Sequence, residues 1–159
     1  MISSALNPPA LLVLEDGTVM KGTSCGAEGE TSGELVFNTS LTGYQEVLTD
    51  PSYKGQVVLM TYPLIGNYGI TAKDNESRKL FLEGFVVREL CRHPSNWESI
   101  EPVQTTLRKN GVVAIEGIDT RALTKRLRLK GSQRCILSTK DLDERSLKNK
   151  VKKLPSIMG

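Results

Sequence analysis

The sequence predicts an α/β or α+β fold, α/β being favoured, built on a mixed sheet, and two observations support this class. The first half is rich in short apolar runs separated by turn residues, a pattern typical of strands. In the second half, amphipathic stretches with capping residues alternate with short runs of valine, isoleucine and leucine. A β-rich beginning followed by alternating helices and strands favours helices packed on a single sheet.

The first half is expected to open with a hairpin, because Ala10–Glu15 and Thr18–Thr23 flank the pair Asp16-Gly17, and both turn positions tolerate positive φ. A glycine-rich loop over residues 25–33 follows. The strands expected after this loop are Leu35–Phe37, Gln56–Tyr62, which is the best candidate for the centre of the sheet, and Gly84–Leu90.

Four helices are expected, each from capping or periodic residues and a breaker at its end. The first covers Gly43–Leu48, and the third runs from the N-cap Asp119 to Lys130. The supporting residues are Thr42, Gln45 and Pro51 for the first; Ile100, Val103, Leu107 and Gly111 for the second; Leu123, Leu127 and Gly131 for the third; and Asp141, Glu144, Leu147, Val151, Leu154 and Pro155 for the fourth. Strands at Val112–Ile115 and Gln133–Ser138 separate the last three helices.

Composition narrows the class of protein. The 159 residues, 38% hydrophobic and 25% charged, fit one globular domain with a sizeable core. A net charge of +3 is too small to indicate nucleic-acid binding by itself, and no apolar run reaches the roughly 20 residues of a membrane helix. The N-terminus resembles neither a secretory signal nor a transit peptide. Three cysteines without a C-x-x-C pair favour neither disulfides nor zinc, so a reducing cytoplasm is the expected location.

Cys91 and His93 are the obvious candidates for a nucleophile and its base, since the chain has a single histidine. They follow a predicted strand directly and do not lie on a strand-to-helix elbow, so a structural role is favoured for both. Cys25 and Cys135 are interpreted as small packing residues. No Cys-His or Ser-His-Asp constellation can be assembled from the sequence.

Three other patterns have a functional and a simpler interpretation. The spacing of Gly22, Gly26 and Gly29 is neither that of a G-x-G-x-x-G loop nor that of a Walker A loop. A connector between strands is therefore favoured. The basic run Lys125–Lys130 could contact phosphates or an acidic partner, but cations in the last turns of a helix also complement its dipole. The lysines of the fourth helix are expected to form a solvated face; they are Lys148, Lys150, Lys152 and Lys153.

Two turns could present polar groups to a ligand. In Asp50-Pro51-Ser52-Tyr53, aspartate at the first position and proline at the second are typical of a β-turn that holds the Ser52 hydroxyl outward. Gly66–Gly69 is a second exposed turn. From spacing alone, a structural role is favoured for both.

Several unusual sequence words occur in series: GELVFNTSLTGYQEVLTDPSY, then MTYPLIGNYG, then GIDTRALTKRLRLKGS. Together with the opening ALLVLEDGTVMKGTSCGAEG, they resemble the N-terminal domain of the small subunit of glutamine-dependent carbamoyl phosphate synthetase. The resemblance runs from about Ala10 to Leu154, in the family's order. It departs mildly at Leu41, where methionine is common, and the stretch Cys91–Gln104 is less distinctive.

The resemblance implies a swivelling β/β/α domain without catalytic residues of its own. In the family, the small subunit hydrolyses glutamine with a Cys-His-Glu triad in a C-terminal glutaminase domain, after a G-x-C-x-G-x-Q type motif that this sequence lacks. The ammonia passes to a large subunit, which uses ATP, bicarbonate and a divalent metal to make carbamoyl phosphate for pyrimidine and arginine synthesis. The partners of the present domain would be that large subunit, the glutaminase domain and glutamine. The resemblance implies that the domain itself binds no nucleic acid, membrane, cofactor or metal.

The T-D-P-S-Y motif of the family is present as Thr49–Tyr53, and its serine contributes to the glutamine site, so the resemblance assigns Ser52 to substrate binding. The expected organisation is a flexible extension over residues 1–9, the domain over 10–154 and the start of a linker over 155–159. Two alternatives remain open: a stand-alone interaction module, and a basic RNA-binding domain supported only by residues 125–130 and 148–153.

Overall fold

The computed structural model describes residues 7–40, 44–66, 70–71, 79–92 and 99–155. Its strands are β1 (Pro9–Leu14), β2 (Val19–Ser24), β3 (Glu30–Asn38), β4 (Gln56–Met60), β5 (Leu64–Ile65), β6 (Ile70–Thr71), β7 (Gly84–Val86), β8 (Glu89–Leu90), β9 (Ser99–Glu101), β10 (Val113–Glu116) and β11 (Gln133–Ser138). Its helices are α1 (Tyr44–Thr49), α2 (Val103–Lys109), α3 (Thr120–Lys130) and α4 (Glu144–Lys152). The protein is therefore mixed α/β, as predicted.

Seven of these strands form a closed barrel in the order β1-β11-β3-β4-β7-β10-β2. The sheet is mixed: β3, β4, β7 and β10 run parallel to one another, and the remaining pairings are antiparallel. Two small pairs, β5 with β8 and β6 with β9, lie outside the barrel. The mixed sheet was predicted, whereas its closure was not.

Each strand buries one face inside the barrel, and α3 contributes to the same interior. Leu12 of β1, Leu59 of β4 and Ile115 of β10 belong to one buried cluster with Leu123 and Leu127 of α3. Because α3 follows β10 and supplies these leucines, it covers the end of the barrel where the parallel strands finish. The interior is thus sealed at their carboxyl ends by a helix.

The outer face is covered in two places. Helices α1 and α2 pack on the parallel strands, where Leu48 and Leu107 share a cluster with Phe85. Helix α4 packs on the antiparallel part, where Leu147 and Val151 are buried against β1 and β11. The parallel strands are consequently buried on both faces, which explains their continuous apolar sequences.

The predicted hairpin is confirmed: β1 and β2 pair antiparallel around Asp16-Gly17, and Gly17 has a φ of 93°. The prediction that Gln56–Tyr62 is a central strand is also confirmed, since β4 lies between β3 and β7 and ends at Met60. The bounds of β11 agree with the predicted strand, and those of β10 and α1 are shifted by one residue. Thr42, one half of the predicted capping pair of α1, lies outside the described residues.

Four predicted details were wrong. Strand β3 starts within the supposed loop, at Glu30, because those residues pair with β11. The strand predicted over Gly84–Leu90 is divided into β7 and β8, which join different sheets. Ile100 belongs to β9 rather than to α2, because Pro102 is the N-cap of that helix. The N-cap of α4 is Asp143 rather than Asp141, since Asp143 accepts hydrogen bonds from the amides of Arg145 and Ser146.

Candidate functional site

Ser52 lies in a 3-10 turn, Pro51–Tyr53, immediately before β4. Asp50 caps this turn, and its Oδ1 accepts a hydrogen bond from the Ser52 amide at 2.9 Å. Hydrogen bonds from Ser52 lower the pKa of the Asp50 carboxyl from its ordinary value. The bond from the Ser52 amide has the larger effect, and the one from its hydroxyl has the smaller effect. Pro51 fixes φ at the first position of the turn. The side chain of Ser52 is exposed, as the sequence predicted.

The residues on either side of Ser52 fix the position of the turn. The hydroxyl of Tyr53 accepts a hydrogen bond from Asn38 Nδ2 at 3.0 Å. The Tyr53 ring packs against the buried cluster that α1 and α2 form on the parallel strands. The Lys54 amide donates to the Pro51 carbonyl at 3.2 Å, and Gly55 has a φ of 85° where the chain enters β4. Ser52 is therefore exposed on a turn anchored to two elements of the barrel.

A groove of about 340 Å³ begins three residues beyond Ser52. Its lining residues are Ser32, Gly33, Glu34, Gly55, Arg134, Leu154 and Pro155. Arg134 forms an ion pair with Glu15 at 2.9 Å and donates to the carbonyl of Leu154. The end of α4 is thereby held against β11, in the groove that also includes Gly55.

None of the cysteines is placed as a nucleophile beside this turn. Burial raises the pKa of the Cys25 thiol, and the charge of Glu116 adds to this shift; burial alone raises the pKa of Cys135. Both are completely buried in the two main cores, which confirms them as packing residues. The amide of half-buried Cys91 donates to the Ile65 carbonyl at 2.8 Å. His93 lies outside the described residues.

The glycines that resembled a phosphate loop serve close packing of backbones. A Cβ atom on Gly22 would lie 2.2 Å from the Glu116 carbonyl oxygen, and one on Gly26 would lie 2.5 Å from that of Val112. Gly29, with a φ of 152°, donates to the Thr139 hydroxyl at 2.8 Å. Gly26 and Gly29 lie in the connector between β2 and β3, as predicted, whereas Gly22 belongs to β2 itself.

The basic residues of α3 are divided between two sides of the helix. Arg126 and Lys130 form ion pairs with Asp16 at 3.2 and 3.4 Å. Arg121, Lys125 and Arg128 instead line a second groove, of about 430 Å³. The other lining residues are Thr39, Thr61, Pro63, Arg88, Thr120 and Thr124. We call this the basic groove; the sequence alone did not indicate it, because Arg88 and two of the threonines come from loops distant in the chain.

On α4, Lys150 forms ion pairs with Glu30 at 3.1 Å and with Asp141 at 2.9 Å, whereas Lys152 and Lys153 are exposed. These contacts raise the pKa of Lys150, Asp141 having the larger effect. The predicted solvated face is thus confirmed only in part. Of the second predicted turn, Gly66 has a φ of 89°, and residues 67–69 lie outside the described residues.

Among the described residues, no three His, Cys, Asp or Glu side chains are grouped as metal ligands would be. In the same part of the chain, none of the helices is long and apolar enough to span a membrane.

The family model and the curated relatives agree on one family. A sequence profile of the carbamoyl-phosphate synthase small chain, CPSase domain, matches residues 12–137. The carbamoyl phosphate synthase small chain of Maridesulfovibrio salexigens is 57% identical over 94% of this chain. That of Thermotoga maritima is 55% identical over 97% of this chain. The chain spans only 40% and 39% of the length of these two relatives, respectively. Among solved structures, an aminopeptidase from Aneurinibacillus sp. strain AM-1 is similar over 81% of this chain and 30% of its own, at 16% identity. Its TM-score of 0.47 is too low to indicate a shared fold.

Proposed function

Because the chain belongs to the family of carbamoyl-phosphate synthase small chains, we propose that it is the non-catalytic N-terminal domain of such a chain. The complete small subunit would release ammonia from glutamine, and a large subunit would combine it with bicarbonate and ATP to make carbamoyl phosphate. This domain would dock the large subunit and complete the glutamine site. The whole enzyme would act in the cytoplasm, in pyrimidine and arginine synthesis.

The observation that carries the proposal is the extent of the match. The chain aligns with its relatives over 94% of its own length but over only 40% of theirs, which leaves most of a small subunit unaccounted for. Thioester formation from glutamine needs an activated thiolate, a base and oxyanion donors. Two of the three thiols are buried in the cores, where burial disfavours the thiolate. A separate glutaminase domain is the consistent source of these groups.

The geometry around Ser52 supports a role at the boundary with such a domain. Leu154 and Pro155 share a groove with Gly55, so a domain that follows α4 would begin beside the Ser52 turn. The Asp50 cap already engages the Ser52 amide. The hydroxyl oxygen retains lone pairs that can accept a hydrogen bond from an N–H of glutamine.

We also infer a swivelling β/β/α architecture. The division of the barrel into an antiparallel part covered by α4 and a parallel part covered by α1 and α2 is compatible with this architecture. A crystal structure of the full-length subunit, with and without its partner, would test whether the domain rotates as a rigid body.

The assignment of Ser52 is tested by Ser52→Ala in the full-length small subunit assembled with its large subunit. Loss of one neutral hydrogen bond costs about 0.5–2 kcal/mol, so we expect the KM for glutamine to rise by about 2- to 30-fold. Carbamoyl phosphate synthesis from added ammonia should be nearly unchanged, because that reaction bypasses the glutamine site. Steady-state kinetics with each nitrogen donor measure both quantities.

Ser132→Ala is the matched control, since Ser132 is an exposed serine in the loop between α3 and β11. It should leave both activities unchanged. Equal damage to the glutamine and ammonia reactions in Ser52→Ala would instead assign the turn to folding or assembly.

A further inference from the structure

The basic groove lies at the carboxyl ends of three parallel strands of the barrel. Thr39 follows β3, Thr61 follows β4 and Arg88 follows β7, and α3 closes the same rim. These three strands are parallel, so their carboxyl ends meet there. Ser52, in contrast, precedes the first residue of β4 by four positions. The two surfaces are therefore separate sites on the domain.

Among the described residues, the cations of the basic groove have no acidic partner. Arg121, Lys125 and Arg128 occur at i, i+4 and i+7, and therefore form one stripe along α3. The acid that neutralises this helix, Asp16, pairs with its other side. In the described part of the chain, no acidic side chain lies within ion-pair distance of these three cations or of Arg88.

The groove also has ordered, neutral walls. Thr120 and Thr124 are buried beneath the stripe, and the Thr124 hydroxyl donates to the Thr120 carbonyl at 2.7 Å. The guanidinium of Arg128 lies 5.3 Å from the centre of the Phe37 ring, which restrains it by a cation–π contact. Arginines held in this way bind carboxylates with two parallel hydrogen bonds.

The shape and borders of the groove favour a protein over a small anion or RNA. The stripe extends for about 10 Å along the helix, enough for several carboxylates of one segment. Leu129, which is 87% exposed, and Tyr62, which is 39% exposed, adjoin lining residues in the chain. Exposed apolar side chains beside arginines are typical of protein interfaces. None of the described lining residues is aromatic, so they offer no row of rings on which successive bases could stack.

We infer that the basic groove docks a carboxylate-rich segment of a partner protein. The inference rests on the proposed function, under which the partner is the large subunit. The segment would neutralise the stripe of α3 together with Arg88, and its apolar residues would cover Leu129. Electrostatic attraction of this kind mainly accelerates association and weakens as salt screens the charges.

The test is the affinity of the full-length small subunit for the large subunit, measured by biolayer interferometry at low and high salt. We expect Arg121→Glu/Lys125→Glu to weaken binding by at least about tenfold at low salt, mostly through a slower association rate. Both side chains are exposed, and Arg121 lies in the first turn of α3, where glutamate is favourable, so the fold should survive. Arg121→Gln/Lys125→Gln, with half the charge change, should have an intermediate effect.

Lys152→Glu/Lys153→Glu is the control, because it makes the same change of net charge at two exposed lysines at the end of α4. Equal binding by both reversed variants, whether normal or weakened, would overturn the inference and leave the proposed function standing. If the unmodified small subunit does not bind the large subunit at all, the proposed function itself fails. Binding of a single-stranded RNA oligonucleotide that only the α3 variant loses would overturn docking of an acidic segment.

Discussion

At the scale of single residues, Asp16 connects parts of the chain that are more than 100 residues apart. Its Oδ1 accepts from the Thr18 amide at 2.9 Å, and its Oδ2 is within hydrogen-bond distance of Arg126, Lys130 and Gln133. Partial burial alone would raise the pKa of Asp16, but the hydrogen bonds from Thr18, Gln133 and Lys130 outweigh it and hold the pKa well below its ordinary range. The same residue therefore shapes the first hairpin and attaches α3 to it.

Asp16→Asn isolates the charge, because asparagine can still accept from the Thr18 amide. We expect a loss of about 1–2 kcal/mol in the free energy of unfolding at pH 7, given that both cations are partly exposed. Since the folded pKa is depressed, the stabilisation is complete above the unfolded pKa of about 3.9 and declines as the pH falls below it. Urea denaturation should show the gap between the two proteins narrowing by about 1 kcal/mol between pH 5 and pH 3. A gap that is constant over this range would exclude a role for the charge.

The turn at Asp16-Gly17 could be predicted from the sequence because its signal is local. Its ion pairs could not, because their partners come from α3. The Ser52 turn is a similar case. The exposure of Ser52 follows from the local turn motif, whereas the groove that Gly55 shares with Leu154 and Pro155 depends on how the end of α4 packs against β3 and β11.

At the scale of elements, α3 is the helix that the sequence describes best. Asp119 caps it by accepting from the Ala122 amide at 3.0 Å, and Gly131 ends it with a φ of 81°. Helix α2 was predicted less well because the spacing of Ile100, Val103 and Leu107 fits one helical face. Ile100 nevertheless joins a strand, since pairing with β6 decides its conformation. Local period therefore locates a helix but not its first residue.

Two leucines of α3 should differ sharply in their contribution to stability. Leu127 is 4% exposed in the barrel interior, so Leu127→Ala should cost about 2–4 kcal/mol through lost burial and the cavity left behind. Leu129 is 87% exposed, and Leu129→Ala should change the free energy of unfolding by less than about 0.5 kcal/mol. Chemical denaturation of both variants measures the difference. Similar losses would mean that α3 does not close the barrel as described.

At the scale of the whole molecule, the mixed α/β class was predictable, whereas closure of the barrel was not. The pairings that close it join residues distant in sequence, such as Ile115 of β10 with Ser24 of β2. Two glycines permit this approach, since side chains on Gly22 and Gly26 would collide with the backbone near β10. The glycines themselves are evident in the sequence, but the backbone segments that they approach are not. The basic groove could not be predicted either, because its lining residues come from segments that are distant in sequence.

The chain of 159 residues should be a stable domain without glutaminase activity. Purified protein incubated with glutamine should release no ammonia above the background of the buffer, as measured by a coupled glutamate dehydrogenase assay. Cys91→Ser is the control, because Cys91 is the only thiol that is not completely buried. Ammonia release that this substitution abolishes would contradict the assignment of the domain as non-catalytic.

The parallel strands have a mechanical consequence for the assembly that we propose. Strand β4 is five residues long, or about 16 Å; the Ser52 turn precedes it in the chain, and Thr61 of the basic groove follows it. Its register with β3 and β7 fixes this length, so lengthening one strand alone would break its pairing with both neighbours. In that assembly, the fixed length of β4 would set the spacing between what binds before this strand and what binds after it.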